Sequence, residues 1–219
     1  MKRFAVIGIG HFGATTARTL FETGAEVVAI DNNKEAVQDA AEFSTQAIFA
    51  DATDKRAIQS LGLDDVDVAI VSLGERMDVI TLVALHLIEL GVAYTCVKAL
   101  SDDHAKILRA IGVNEIIHPE EESALRLAMR LSLNNVTDFL PMLSGYSVVS
   151  MQATPSVAGK RIGDLETQNI QIVAIQRIGE TRPTLVPSDD QLIAENDVLI
   201  LIGENNEITR FTEIYCRER

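Results

Sequence analysis

The stretch FAVIGIGHFGATTARTL, from Phe4 to Leu20, contains three glycines whose spacing decides the fold of the first half of the chain. Gly8, Gly10 and Gly13 follow a short apolar run typical of a strand and precede a pattern typical of a helix. In that context the first glycine permits a tight turn, the second lets the backbone approach a pyrophosphate, and the third allows close helix–strand packing. The helix also directs its N–H groups and positive dipole end towards the phosphates. This turn therefore predicts a site for an adenosine-containing nucleotide.

The same alternation of short apolar runs and longer amphipathic segments continues to about residue 118. Runs with the character of strands occupy residues 4–9, 26–31, 46–50, 66–73, 94–99 and 114–118. Glycines at or near the ends of the intervening segments suit the left-handed turn that follows a helix. Strands that are apolar on both faces and joined by helices indicate a parallel sheet covered on both sides. We therefore predict an α/β fold, a doubly wound parallel Rossmann-type sheet, over residues 1–118.

A helix is predicted next, over residues 119–136. It begins at Pro119 with acidic residues in its first turn, as the helix dipole favours. Two interpretations are equally open, namely a seventh helix that packs on its own sheet and a crossover helix that packs against a partner subunit.

After this helix, the regular alternation of strand-like runs and helical segments ends. Strand-like runs at 146–153, 170–177 and 197–203 are separated by loops that contain proline and glycine, and a helical segment follows. We predict a crossover helix and linker over 119–140 and a small α+β C-terminal domain over 141–219.

Composition and charge limit the classes of partner. The 219 residues carry a formal net charge of −13, which opposes nonspecific binding to nucleic acid or to an anionic bilayer. Cys96 and Cys216 are far apart and lack a Cys-x-x-Cys partner, so neither a disulfide scaffold nor a zinc ribbon is expected. The longest apolar stretch falls short of the roughly 20 residues that a membrane-spanning helix needs. We expect a cytoplasmic protein without a signal peptide and without direct membrane insertion.

An acidic residue stands where a nucleotide ribose would lie. Asp31 ends the second predicted strand, eighteen residues beyond Gly13. Its carboxylate can accept hydrogen bonds from both ribose hydroxyls and would repel the 2′-phosphate of NADP.

Two further segments, 50–53 and 72–75, are predicted at the carboxyl ends of strands three and four, where open sheets bind ligands. Lys98, near the end of strand five, would neutralise a phosphate. Both segments contain residue types that cap helices, so a capped helix start is the alternative for Asp51, Thr53 and Ser72.

A catalytic site is not evident beside this nucleotide site. His104 and His118 have no evident carboxylate motif that would orient them for proton transfer. The spacing of Tyr94 and Lys98 matches the Tyr-x-x-x-Lys pair of short-chain dehydrogenases, but that pair needs a helix. In the strand predicted here, a rise of about 3.3 Å per residue separates the two by roughly 13 Å. The sequence therefore predicts a protein that is not an enzyme.

Motifs along the whole chain resemble those of the RCK (KTN) family, the cytosolic regulatory subunits of Trk and Ktr potassium transporters. They are FAVIGIGHFG, VVAIDNN, ADATD, VDVAIVSLGE, VKA and IGVNEIIHPEEESALRLA, followed by the C-terminal GKRIGDL, IVAIQR and DVLILIG. The resemblance implies an RCK N-terminal domain and a TrkA-C domain. It implies a gating-ring subunit in which a ligand-induced conformational change controls potassium uptake.

The resemblance also implies partners and ligands. The helix after the sheet would form a homodimer, dimers would assemble into a ring, often an octamer, and the ring would dock on a membrane-embedded potassium channel subunit. The ligand would be ATP or ADP, or NAD(H), and in some relatives a divalent cation is held between subunits at the position of Glu120. The alternative for Glu120 is a carboxylate that stabilises the helix N-terminus.

Carried over by position, the family's nucleotide contacts fall on the ends of the predicted strands. The phosphates would lie against Gly8, Gly10, His11, Phe12 and Gly13, with Lys98 nearby. The ribose would lie against Asp31 and Asn33, and the adenine side against Asp51, Ala52 and Thr53. The candidate set is completed by Asn32, Ser72, Leu73 and Gly74.

His11 departs from the family pattern, because many relatives carry at this position an arginine that reaches the neighbouring subunit's γ-phosphate. A neutral histidine is a weaker phosphate partner than a guanidinium. Discrimination of ATP from ADP is therefore expected to be weakened or to depend on pH.

Two other functions stay open at this point. One is a small NAD-dependent oxidoreductase whose C-terminal domain supplies the substrate site, which an assay of hydride transfer would reveal. The other is a Rossmann module that only mediates assembly, which failure to bind any nucleotide would support.

Overall fold

The computed structural model of the chain describes residues 1–216. The chain divides into two compact units, and the division falls between Pro119 and Glu120. No helix among the described residues is both long and apolar enough to cross a bilayer.

The first unit is a six-stranded parallel sheet with helices. Its strands are β1 (Arg3–Ile7), β2 (Glu26–Asp31), β3 (Gln46–Phe49), β4 (Val68–Val71), β5 (Thr95–Lys98) and β6 (Glu115–Ile117). Its helices are α1 (His11–Glu22), α2 (Lys34–Ala40), α3 (Lys55–Ser60), α4 (Met77–Leu90) and α5 (Asp102–Ile111). The strand order is β3-β2-β1-β4-β5-β6 with every pair parallel, which confirms the predicted doubly wound Rossmann-type sheet.

Two apolar cores, one on each face, hold this sheet. One core includes Ile80 and Leu87 of α4 and Leu108 of α5, and the other includes Ala17 of α1 and Ala40 of α2. Strands between two such cores must be apolar on both sides, which is why their sequence shows continuous apolar runs.

Helix ends in this unit follow from residue type. Ser101 caps α5 by accepting a hydrogen bond from the N–H of His104. Gly91 and Gly112 end α4 and α5 with φ of 86° and 99°, a left-handed conformation that favours glycine. The predicted helix ends at these glycines are confirmed.

The second unit is a five-stranded antiparallel sheet with a helix at each end of its sequence. Its elements are α6 (Pro119–Ser132), β7 (Val136–Leu143), β8 (Tyr146–Gln152), β9 (Ile170–Gln176), β10 (Thr184–Leu185), β11 (Val198–Glu204) and α7 (Asn205–Tyr215). The strand order is β10-β9-β11-β8-β7. Met151 and Leu199 of the sheet and Phe211 of α7 belong to its core. The small α+β domain predicted after the Rossmann-type sheet is confirmed.

Strand β7 was missed in the sequence, where residues 119–140 were interpreted as a crossover helix and linker. The strand pairs with β8, and its register shifts twice, between Val136 and Asp138 and between Pro141 and Leu143. Such shifts break the alternation of apolar and polar residues that identifies a strand. Proline is tolerated there because β7 lies at the edge of the sheet.

Helix α6 exposes an apolar surface. None of its described residues is buried, and the exposed fractions are 51% for Leu125, 48% for Leu127 and 70% for Leu131. The predicted helix is confirmed, but it ends at Ser132 and not at residue 136, and its leucines are exposed in the single chain.

Candidate functional site

The glycine turn between β1 and α1 has a geometry that only glycine allows at two of its three positions. Gly8 has φ of 93°, and a Cβ there would lie 2.3 Å from the carbonyl oxygen of Ser72. A Cβ on Gly13 would lie 1.9 Å from the carbonyl oxygen of Gly8. Neither clash is with a flexible side chain, so both glycines are required by the fold itself.

Gly10 differs from the other two glycines. A Cβ at this position would meet no atom of the protein within 4 Å, and the residue is exposed. It is the N-cap of α1, and it offers no side chain to the N–H groups of the first turn. Those groups and the positive end of the helix dipole therefore face an open space that suits a phosphate. His11 and Phe12 form the first turn, where His11 is exposed and Phe12 is half-buried.

Asp31 connects the end of β2 to the glycine turn. Its Oδ2 accepts a hydrogen bond of 2.6 Å from the N–H of Ile9, and its Oδ1 accepts one of 2.8 Å from the N–H of Asn33. The half-buried carboxylate thus orients the turn as well as the start of α2. Because each carboxylate oxygen has a further lone pair, both remain able to accept from a ribose hydroxyl.

A cavity of about 340 Å³ opens at the carboxyl ends of β1 to β4. It brings together seven of the predicted site residues, Asp31, Asn32, Asp51, Ala52, Thr53, Leu73 and Gly74. The remaining lining residues are Ile7, Ile30, Ala50, Glu75, Arg76 and Val79. The cavity therefore runs from Asp31 towards the loops that follow β3 and β4.

The loop after β3 is organised by Asp51. Its Oδ1 accepts hydrogen bonds from the N–H of Thr53 at 2.9 Å and from the hydroxyl of Thr53 at 2.7 Å. These bonds lower the pKa of the Asp51 carboxyl, so the group is ionised at neutral pH. The other carboxylate oxygen stays available to a hydrogen-bond donor such as an amino group.

Helix capping does not explain the candidates in these loops, and that alternative is wrong. Asp54 caps α3 by accepting from the N–H of Arg56, and Arg76 is the residue that precedes α4. Ser72 is buried, and its N–H donates to the carbonyl of Ile7 at 2.8 Å.

Outside the glycine turn, three predicted nucleotide contacts are not among the residues that line the cavity. Asn33 caps α2, where its Oδ1 accepts from the N–H of Glu35. Ser72 packs under Gly8, and Lys98 is half-buried at the end of β5. The residues of the glycine turn also lie outside the cavity lining. The turn is joined to the cavity through Ile7, which directly precedes Gly8, and through Asp31, which accepts from the N–H of Ile9.

Arg76 and Val79 line the cavity but were not predicted, whereas Glu75 lies in the segment 72–75 that was expected at this edge of the sheet. The available signal was position, because both residues follow closely on that segment, after a parallel strand that neighbours β1. Nothing in their residue types distinguished them from an ordinary helix start.

Side chains considered for catalysis have other roles. Tyr94 donates its hydroxyl hydrogen bond to Glu115 at 2.9 Å, and Lys98 belongs to a strand, so the two do not form a helical pair. His104 is fully buried, and its Nδ1 accepts from the N–H of Leu100 at 3.2 Å. Its burial, reinforced by the charge of His118, lowers its pKa and keeps the ring neutral.

The predicted metal ligand, Glu120, lies in the first turn of α6. Residues 1–216 contain no group of three or more His, Cys, Asp or Glu side chains placed to hold a metal ion. A cation site at Glu120 would therefore need ligands from a second copy of the chain, and it stays a prediction.

Comparison with known proteins identifies the family. The family model of the TrkA-N domain matches residues 4–119, and that of the TrkA-C domain matches residues 147–215. The "Ktr system potassium uptake protein C" of Bacillus subtilis (strain 168) is 38% identical over 213 residues, which are 96% of each chain. The "Ktr system potassium uptake protein A" of the same organism is 36% identical over 96% of this chain and 95% of its own.

Solved structures show the same fold. The RCK domain of GsuK has a TM-score of 0.68 at 17% identity and matches 100% of this chain and 48% of its own. The GsuK channel bound to NAD has a TM-score of 0.66 at 16% identity and matches 99% of this chain and 40% of its own. The chain therefore belongs to the RCK family of TrkA-N and TrkA-C domain proteins, which includes the Ktr system potassium uptake proteins.

Proposed function

We propose that the chain is a cytoplasmic, nucleotide-sensing regulatory subunit of a potassium transport system. The observation that carries this proposal is the 38% identity to a Ktr system potassium uptake protein over 96% of both chains. The matched region includes both domains, so the proposed function is that of a whole subunit.

The regulatory ligand in this proposal is an adenine nucleotide, either ATP or ADP, or NAD(H). Gly10, His11 and Phe12 would hold its phosphates at the start of α1, and Asp31 would hold its ribose. The exposed, side-chain-free N-cap supports this arrangement, because it leaves the first-turn N–H groups available to an anion. Lys98 at the end of β5 would add a positive charge on the phosphate side.

Regulation follows from linkage. A nucleotide shifts the subunit between two conformations only by the difference in its affinity for them, and such coupling is typically about 1–3 kcal/mol. The contact of Asp31 with the N–H of Ile9 joins the ribose position to the glycine turn. Contacts of the ligand with Asp31 and with the glycine turn would therefore act on the same connected segment of backbone.

Assembly is part of the proposal. The exposed leucines of α6 support a homodimer formed through this helix, because a partner surface would remove them from water. Dimers would build a ring, with an octamer as the expected size, and Glu120 would contribute to a divalent-cation site between copies. The ring would act on a membrane-embedded potassium channel subunit.

Calorimetric titration of the purified chain with ATP, ADP, NADH and NAD tests the nucleotide proposal. Binding of at least one of them at micromolar or lower dissociation constant supports it, and absence of binding by all four contradicts it. An assay of NADH oxidation in the same samples separates a regulatory role from an oxidoreductase.

Light scattering tests the assembly. Leu131→Glu places a charge on the most exposed leucine of α6, and we expect a loss of mass relative to the wild-type assembly because the charge would be buried at the interface. Ile178→Glu is the matched control, since Ile178 is 71% exposed in the second unit. Unchanged mass for Leu131→Glu would contradict dimerisation through α6.

A further inference from the structure

The cavity and the glycine turn divide the candidate site into two ends. Phosphates belong to the start of α1, and the ribose belongs to Asp31. The cavity continues from Asp31 to residues 50–53 and 73–76 and to Val79, and no residue of the glycine turn lines it. This inference rests on the proposed nucleotide site, and it concerns the end where the base would lie.

The charges of the cavity suit a base and oppose a phosphate. Asp31, Asp51 and Glu75 line it with three carboxylates, and Arg76 is the only cation among its described lining residues. A phosphate placed among these carboxylates would be repelled. A neutral adenine would instead offer its amino group to carboxylate acceptors and its faces to Leu73, Val79 and Ala52.

The guanidinium of Arg76 is held in a defined orientation. Its Nη2 donates to Oδ2 of Asp78 at 2.5 Å, and its Nε donates to Oδ1 of the same residue at 3.3 Å. Asp78 lies in the first turn of α4, where the helix dipole favours a carboxylate. This two-point contact orients the guanidinium beside the cavity, and both side chains are largely exposed.

We propose that Arg76, oriented by Asp78, stacks its planar guanidinium on the adenine base and thereby determines binding at this end of the site. Guanidinium groups stack on aromatic faces through cation–π and planar contacts, which a lysine ammonium does not reproduce. Arg76 is thus a residue that binds the base, and Asp78 is its positioning residue.

The test compares the affinities of the full chain for AMP, ADP and ATP. Arg76→Ala should weaken all three by the same factor, roughly tenfold, because each carries the same base. Arg76→Lys should lose most of the same factor, since it keeps the charge without the plane. Asp78→Asn should lose a smaller factor for all three nucleotides.

Arg109→Ala is the matched control, because Arg109 is exposed on α5 and its loss changes net charge by the same amount. It should leave the three affinities unchanged. A loss in Arg76→Ala that grows from AMP to ATP would overturn the proposal in favour of a phosphate contact. Unchanged affinities in Arg76→Ala would overturn it as well, whereas failure of the wild-type chain to bind any nucleotide would overturn the proposed function instead.

Discussion

The two loops that border the candidate site, the glycine turn after β1 and the loop 72–76 after β4, are built in different ways. The glycine turn is made of backbone, and two of its glycines are required because a Cβ would strike a carbonyl oxygen. The loop after β4 is made of side chains, which contribute Glu75 and Arg76 to the cavity. The comparison teaches that a site made by backbone geometry leaves a strict sequence pattern, while a site made by side chains does not.

The largest expected effect comes from Gly13→Ala. Its methyl group would collide with the carbonyl oxygen of Gly8, so α1 would have to move away from β1. We expect the first unit to lose about 3 kcal/mol or more of stability, at the upper end of the usual cost of overpacking. Thermal unfolding followed by circular dichroism measures this loss.

Gly10→Ala is the matched partner of that variant. Its methyl group meets no protein atom, so stability should change by less than about 1 kcal/mol. It would occupy the space beside the phosphates and weaken nucleotide binding by roughly 5- to 150-fold, if displacement costs about 1–3 kcal/mol. Equal stability losses in the two variants would remove the distinction between a structural and a ligand-facing glycine.

Asp31 gives the next effect, because it accepts from the backbone of the glycine turn and is also the proposed contact of the ribose. Asp31→Ala should weaken nucleotide binding by roughly 10- to 150-fold, as expected for a lost charged hydrogen-bond partner. It also removes the acceptor for the N–H of Ile9, so some stability is lost with it.

Asp31→Asn separates the two roles of this residue. The amide oxygen keeps one acceptor for the N–H of Ile9, while the side chain loses its charge and one acceptor. The amide nitrogen would then face the N–H of Asn33, so we expect a stability loss smaller than that of Asp31→Ala, together with weakened binding. Wild-type affinity in Asp31→Asn, measured by calorimetry, would show that the ribose lies elsewhere.

The smallest expected effect is that of His11→Arg. His11 is exposed in the first turn of α1, where an arginine would add a permanent charge near the terminal phosphate. An exposed ion pair contributes about 0.2–1 kcal/mol, so the preference for ATP over ADP should increase by roughly 1.4- to 5-fold. An unchanged ATP-to-ADP affinity ratio would contradict this placement of the γ-phosphate.

Much of the fold could be predicted because the parallel sheet lies between two cores. Its strands had to be apolar on both sides, and glycines such as Gly91 and Gly112 ended the helices between them. Strand β7 could not be predicted in the same way, because its two register shifts and Pro141 remove the alternation of an edge strand.

In the candidate site too, residues placed by the sheet could be predicted, and residues placed by side-chain contacts could not. Asp51 and Thr53 could be predicted to line the cavity because they follow β3, whose carboxyl end lies at the same edge of the parallel sheet as the glycine turn. Arg76 was missed because its importance depends on Asp78 and on the direction of its side chain, and neither can be deduced from residue spacing. Asn33 was expected at the ribose, but its side chain caps α2.

Regulation of potassium transport by a bound nucleotide is tested by measuring potassium flux into liposomes that contain a Ktr-type channel subunit and this chain. With the wild-type chain, we expect the flux to differ between saturating ATP and ADP, or between NADH and NAD. With Gly10→Ala, we expect the flux to be the same in all four nucleotides when each is present at a concentration too low to saturate the variant. A wild-type flux that is the same in all four nucleotides and in their absence would contradict a nucleotide-sensing role for this chain.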